Sequence, residues 1–286
     1  MPVALVTDST ATLSAETAAE RAITVVPLQV VIGATSYDES GGDESVTPRM
    51  LAEALRAWTP VSTSRPNPEA ILETYEKLAA DGADSIVSVH ISAELSGTFE
   101  SAQLAARRSP VPVTLVDSRQ VGMGTGFAVL AAADAIAGGA DAPSAAAAAR
   151  TRAAGTTSLF YVDTLEHLRR GGRMGAAAAL LGSALAVKPI LKVEDGRIGP
   201  FERVRTSAKA LSRLEELAVE AAAGADVDVA VAHLASPDRA ADLASRLSGR
   251  LERALGQREV SLGEIGAVLG AHVGPGMVAV AVSRRS

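Results

Sequence analysis

Ser85-Ile86-Val87-Ser88-Val89-His90-Ile91 runs into Leu95-Ser96-Gly97-Thr98, and Phe99 to Ala106 follows as a helix-like stretch. A short apolar run, small polar residues and then a helix is one strand-turn-helix unit of an α/β layer structure. The order recurs outward from this stretch. Val3 to Thr7 ends at Asp8-Ser9-Thr10, and Val113 to Val116 ends at Asp117-Ser118. Thr47-Pro48 and Asn67-Pro68-Glu69 each place a capping side chain before a proline at the first helical position. Ile23 to Ile32 reads as one further buried strand, with Pro27 marking an edge or a bulge. The first half is therefore expected to be α/β with a largely parallel sheet.

Gly138 to Gly155 is rich in Ala and Gly, and its run Ala145 to Ala149 reads as a helix, given alanine's propensity. A domain boundary is expected just after it, giving segments 1–155 and 156–286. The second segment opens with a strand from Thr156 to Val162, and a helix start follows over Asp163 to Arg170. Val187 to Val204 reads as a hairpin turning at Asp195-Gly196, since Asp-Gly supplies the positive φ such turns need. A strand over Val227 to Leu234, a long amphipathic helix over Pro237 to Leu255 and a strand over Met277 to Val282 complete it. The expected architecture is two α/β domains with a cleft between them.

Composition removes several functions. The chain has 286 residues and is 48% hydrophobic but only 3% aromatic, so its core must be built from Ala, Val, Leu and Ile. Its net charge of -6 argues against nucleic acid as a partner. It has no cysteine, which removes disulfides, thiolate metal sites and cysteine nucleophiles and fits a cytoplasmic setting. Val3-Ala4-Leu5-Val6 follows Met1-Pro2, without the basic and apolar regions of a signal peptide. No apolar run approaches the ~18 to 20 residues that span a bilayer, and Asp134 breaks the best candidate. A soluble protein is expected.

Ser96 has two readings. It is either a hydroxyl donor to an anion at a helix N-terminus, where free amides and the positive dipole end already point, or a helix cap. His272, in His272-Val273-Gly274-Pro275-Gly276, is either a ligand-facing imidazole that donates to an oxygen or orients a hydroxyl, or a buried histidine satisfied by backbone. Thr63-Ser64-Arg65-Pro66 offers further hydroxyls. Asp8 is assigned both turn formation and proximity to the head-group site, whereas Asp117 is assigned the turn alone. No histidine pair has metal-ligand spacing, so no metal is expected. Gly122-Met123-Gly124-Thr125-Gly126 departs from a dinucleotide fingerprint and reads as close helix packing. No P-loop occurs.

Between Asp163 and Arg213, Lys and Arg outnumber Asp and Glu by ten to five. That window is either a solvated face or a docking face for an acidic or phosphate-bearing partner. Arg173 differs from its neighbours because Gly171-Gly172 and Gly175 let a partner approach it. A serine hydrolase of lipid esters using Ser96, Asp117 or Asp163, and His272 is an alternative. Glu94, however, stands where the G-x-S-x-G elbow needs glycine. A sugar- or phosphate-binding module is a third reading.

Taken in order, Thr7-Asp8-Ser9-Thr10, Thr63-Ser64, Leu95-Ser96-Gly97-Thr98, Val116-Asp117-Ser118, Gly171-Gly172-Arg173, Lys188-Pro189, Arg205-Thr206 and His272-x-Gly-Pro-Gly resemble the DegV family of bacterial fatty-acid-binding proteins from end to end. The resemblance implies a two-domain α/β fold with a long-chain fatty acid in a tunnel between the domains. Its FakB-like members present the bound carboxylate to a separate ATP-binding fatty acid kinase subunit, giving an acyl phosphate for phospholipid synthesis. By matched position, Thr63, Ser64, Ser96 and His272 would surround the carboxylate, with the Gly97 amide as a donor. Arg173 and Arg205 would engage the kinase or the transferring phosphate, outside that cluster. No cofactor is implied beyond the bound fatty acid, and transient contact with a membrane surface is compatible with the role. The chain departs from the pattern at Arg65, where glutamine is expected and a charge is added to the head-group mouth. It departs also at Ser207, where a second basic residue often follows the Arg-Thr pair, and at His90 and Glu94 near the Ser96 motif.

Overall fold

A computed structural model describes residues 2–39, 45–175 and 188–285. In the first half the elements are β1 (Val3–Asp8), α1 (Ala15–Glu20), β2 (Ile23–Val26), β3 (Gln29–Ile32), β4 (Thr35–Asp38), α2 (Pro48–Arg56), β5 (Val61–Ser64), α3 (Pro68–Ala80), β6 (Ser85–His90), α4 (Thr98–Ala106), β7 (Val113–Asp117), α5 (Met123–Ala137) and α6 (Ala142–Ala154). In the second half they are β8 (Thr156–Tyr161), α7 (Glu166–Arg170), β9 (Lys188–Glu194), β10 (Arg197–Val204), α8 (Ser207–Ala222), β11 (Val227–His233), α9 (Pro237–Arg250), α10 (Glu252–Leu255), β12 (Ser261–Glu264), α11 (Ala267–Val273) and β13 (Val278–Arg284). The chain is α/β throughout.

The caps read from sequence form as expected. Thr47 Oγ1 accepts from the Met50 amide at 3.1 Å and Asn67 Oδ1 from the Glu69 amide at 3.1 Å, each with proline at the helix start. Asp195 and Gly196 turn the β9–β10 hairpin with φ of 50° and 78°. Val187, at the edge of that predicted hairpin, lies outside the described residues. Two expectations change. Ile23 to Ile32 is not one strand, because Pro27 interrupts it: β2 stays at the edge of one sheet and β3 enters another. Proline has no amide to give a ladder, and the Leu28 amide beyond it donates to Ser9 Oγ at 3.1 Å. The predicted helix over Pro237 to Leu255 divides at Leu251 into α9 and α10.

The first sheet has the order β2-β1-β6-β7 and is parallel throughout. Helices α3 and α4 bury Ile71, Leu72, Tyr75, Ala102 and Ala105 against one face, while α5 and α6 bury an alanine-rich surface against the other. With both faces covered, the C-terminal strand ends become the exposed working edge. The second sheet has the order β10-β9-β8-β13-β11-β12. Only the β11–β12 pair in it is parallel.

One sequence alternation organises this second sheet. Val227, Val229, Val231, Val278, Val280 and Val282 point to α8 and α9. Ala230, Ala232, Ala279 and Ala281 lie at the alternate positions, and Ala230 pairs with Ala281 as Ala232 pairs with Ala279. Strand side chains alternate faces, so the alanines form a shallow floor opposite the helices. The small sheet β4-β3-β5, with α2 and α11, closes the side of this floor through Leu28, Val30, Leu51, Leu55, Val268 and Ala271.

Candidate functional site

A cavity of about 280 Å³ lies between the strand ends of the first sheet and the alanine floor of the second. Its body is apolar. Ile91, Val121, Met123, Phe160, Val193, Ile198, Leu269 and Met277 line it with the four alanines. Its polar end gathers Thr63, Ser64, Arg65, Ser96, Gly97, Arg173 and His272. None of the lining residues among those described is acidic.

The loop after β6 sets Ser96. Asp117 Oδ1 accepts from the Ala93 amide at 3.2 Å and from the Arg119 amide at 2.9 Å, so Asp117 shapes its turns. The Ser96 amide donates to the Ser92 carbonyl at 3.1 Å. Gly97, not Ser96, is the N-cap of α4. Ser96 Oγ instead meets Thr98 Oγ1 at 2.8 Å and accepts from the Thr98 amide at 3.3 Å. The hydroxyl thus stays at the cavity wall with the free first turn of α4 behind it.

Asp8 has its carboxylate engaged. It accepts from the Thr10 amide at 3.1 Å and the Ile91 amide at 3.1 Å, and it pairs with His90 Nδ1 at 2.9 Å. His90 Nε2 meets Ser88 Oγ at 2.7 Å, and the Tyr75 hydroxyl donates to Ser88 at 2.9 Å. Burial pushes the Tyr75 pKa up to about 12. This buried chain ties β1 to β6 at the edge that carries the site, which gives His90 a place that its sequence context did not reveal.

The two hydroxyls of β5 separate. Thr63 Oγ1 lies 2.9 Å from His272 Nε2, whereas Ser64 Oγ donates to Gln29 Oε1 at 3.3 Å. His272 lies in the last turn of α11, and its Nδ1 is buried without a hydrogen-bond partner among the described residues. Desolvation, followed by the nearby Arg173 guanidinium, lowers its pKa to about 4. The imidazole is therefore neutral near pH 7. The glycines around it serve packing: a Cβ at Gly171 would sit 2.1 Å from His272 Nδ1, and one at Gly274 2.1 Å from His167 Cδ2. Gly274 also has φ of 75°, in the left-handed region.

Arg173 stands inside the cluster rather than apart from it. Its Nε donates to the Leu95 carbonyl at 3.2 Å and Nη1 to the Gly171 carbonyl at 2.5 Å. It has no carboxylate partner among the described residues. Thr63, Arg173 and His272 also border a second hollow of about 430 Å³ that contains Trp58, His167 and Arg170. Arg205 is elsewhere, exposed just before the Thr206 cap of α8 and outside the cavity lining. The hydrolase constellation is not assembled. Ser96 Oγ meets Thr98 Oγ1, His272 Nε2 meets Thr63 Oγ1, Asp163 accepts from Lys188 at 3.1 Å, and among the described residues no hydrogen bond joins Ser96, Asp163 or Asp117 to His272.

The alanine floor and the packing glycines were missed as site-forming residues. The signal for the floor was the Val/Ala alternation in Val229 to Ala232 and Val278 to Val282.

A parallel and a mixed sheet thus face an apolar cavity whose polar end carries Arg65 and Arg173 in an α/β chain. Its sequence matches the profile of the DegV family over residues 2–285. A DegV domain-containing protein of Streptomyces coelicolor is 55% identical over 283 residues, covering 99% of both chains. A DegV family protein of Thermus thermophilus, described as fatty-acid-binding, superposes with a TM-score of 0.90 at 32% identity over 100% of each chain. DegV of Bacillus subtilis, described as a fatty acid binding protein, gives a TM-score of 0.89 at 32% identity, again over both whole chains. The chain is a member of the DegV family. No helix among the described residues is long and apolar enough to cross a membrane.

Proposed function

We propose that this chain binds a long-chain fatty acid in the cavity and presents its carboxylate to a separate ATP-binding kinase subunit for acyl phosphate formation. The observation that carries the first part is an apolar cavity with two guanidiniums and, among the described residues, no acidic side chain in its lining. Each methylene removed from water contributes ~0.8 kcal/mol, a gain a membrane also offers. The head group must therefore supply the preference for the protein. Ser96 and Thr63 are placed to donate to carboxylate oxygens, with the Gly97 amide beside them. Neutral His272, donating from Nε2 to Thr63 Oγ1, would turn the Thr63 hydroxyl toward the ligand. Arg173 supplies charge from the inner side.

The carboxylate is already ionised near neutrality, so these residues orient it and no base is required. ATP, metal and stabilisation of the transferring phosphoryl group come from the partner in this reading. Arg205, exposed in the basic window, is assigned to docking that partner in the cytoplasm. Mass spectrometry of a denatured extract of the purified protein tests the first part. A long-chain fatty acid is expected. Sugars or nucleotides alone, with no fatty acid taken up on titration, overturn it.

A further inference from the structure

We propose that Arg65 and Glu100 form an exchangeable ion-pair latch over the head group, in which the bound carboxylate displaces Glu100 from the Arg65 guanidinium. The inference rests on the fatty-acid reading above and concerns residues that reading leaves without a role.

Arg65 follows the two hydroxyl residues of β5 and precedes Pro66, which restricts it to extended backbone. Its side chain then lies across the loop that carries Ser96. A Cβ at Gly97 would be 2.8 Å from Arg65 Cδ and 3.1 Å from Nη1, so the bare backbone of Gly97 is what lets the arginine cross. Beyond Gly97, Arg65 Nη1 donates to Glu100 Oε2 at 2.7 Å in the first turn of α4. Arg65 lines the cavity while Glu100 does not.

The pair is open to water. The Arg65 side chain is 59% exposed and that of Glu100 65%. Such a pair is held weakly, because water competes for both ions and both long side chains lose freedom in forming it. A carboxylate arriving at Ser96 and Gly97 meets the same guanidinium from the cavity side, partly shielded from solvent, where a charge-assisted and forked contact is stronger. Arg173 lines the same cavity and is held by its own bonds to the Leu95 and Gly171 carbonyls. The head group would lie between two guanidiniums of different kinds, one fixed by backbone carbonyls and one exchangeable. Glu100 acts as an internal competitor that keeps Arg65 near the mouth when no ligand is bound and favours release.

The test compares palmitate with hexadecan-1-ol, which keeps the chain and removes the charge. Affinities of delipidated full-length protein for each are read by competition with a fluorescent fatty acid, at low and high salt. R65Q should weaken palmitate about fivefold to tenfold, leave hexadecan-1-ol unchanged and flatten the salt dependence of palmitate binding. E100Q should strengthen palmitate about twofold, a sign that misfolding does not mimic, and the double variant should behave like R65Q. A palmitate-to-alcohol ratio unchanged in both single variants overturns the latch while leaving fatty-acid binding intact, and so does equal weakening of both ligands. Wild-type protein that binds neither ligand overturns the fatty-acid reading itself, and the latch with it.

Discussion

The cavity is closed by two regions built on opposite plans. Its mouth is assembled from four separate parts of the chain: β5 gives Thr63, the turn before α4 gives Ser96, the segment after α7 gives Arg173, and α11 gives His272. Those positions carry two hydroxyls, a guanidinium and an imidazole. The floor comes from the neighbouring strands β11 and β13, and its four alanines act by being small. The mouth can thus be damaged by removing atoms and the floor by adding them. Loss at the mouth should fall on anionic ligands, and crowding of the floor should fall on long ones.

The largest effect is expected at the floor. Ala279→Phe places a ring where Ala279 and Phe160 already meet across β13 and β8. If the ring excludes four methylenes, the loss for a long-chain acid is about 3 kcal/mol, while a chain short enough to stop before residue 279 is unaffected. Titration with acids of increasing length reads this directly. Equal loss at every length would mean that the floor does not contact the chain.

Next is an effect of pH on stability to which the mouth contributes through His272. His272 has its pKa lowered from 6.5 to about 4, so the folded protein holds the imidazole neutral where the unfolded chain protonates it. As pH falls from about 6.5 to about 4 the unfolded state takes up a proton that the folded state refuses, and stability drops across that window and levels below it. The loss is expected to be about 3 kcal/mol, measured by urea unfolding at a series of pH values. His167 and His233 are also lowered by burial and titrate in the same direction, so H272N should remove only part of the slope. An unchanged slope in H272N would place the burial effect elsewhere.

Ser96→Ala should weaken palmitate by about 1 to 2 kcal/mol, the range for losing one donor to a charged group, and should leave hexadecan-1-ol much less affected. Equal loss for both ligands would return Ser96 to a purely structural role in the turn before α4.

Much of the scaffold was legible because its signals are local. Pro48 and Pro68 behind their caps and Asp195-Gly196 at the hairpin act on their own neighbours, whereas Asp8 and Asp117 at strand ends also accept from amides of the segment after β6. The strand pair hidden in Ile23 to Ile32 was not, since a proline that weakens one ladder does not say which sheet the next residues join. The site was legible as a set of motifs and not as a geometry. Thr63 and His272 meet across 209 positions of sequence, and no periodicity encodes that contact. The same holds for His272 against Gly171, whose missing Cβ leaves room for the imidazole, while Gly172 has open space beside it.

The two arginines give the smallest and sharpest contrast. Sequence context treats Arg173 and Arg205 alike, as docking residues outside the carboxylate cluster. The structure puts only Arg173 in the cavity lining, next to His272, and leaves Arg205 exposed before α8. Arg173→Ala should therefore weaken palmitate by about 1 kcal/mol or more through loss of a charged donor. It should also let the His272 pKa rise, because a nearby positive charge is removed. Arg205→Ala should change palmitate affinity by less than about 0.5 kcal/mol, as expected for an exposed side chain away from the ligand. Its effect is expected only in ATP-dependent acyl phosphate formation with a cognate kinase. Loss of palmitate affinity in Arg205→Ala would mean that the head group reaches farther from the cavity than its lining does. Unchanged affinity in Arg173→Ala would leave the inner charge of the mouth without a ligand and make Arg65 its only working cation.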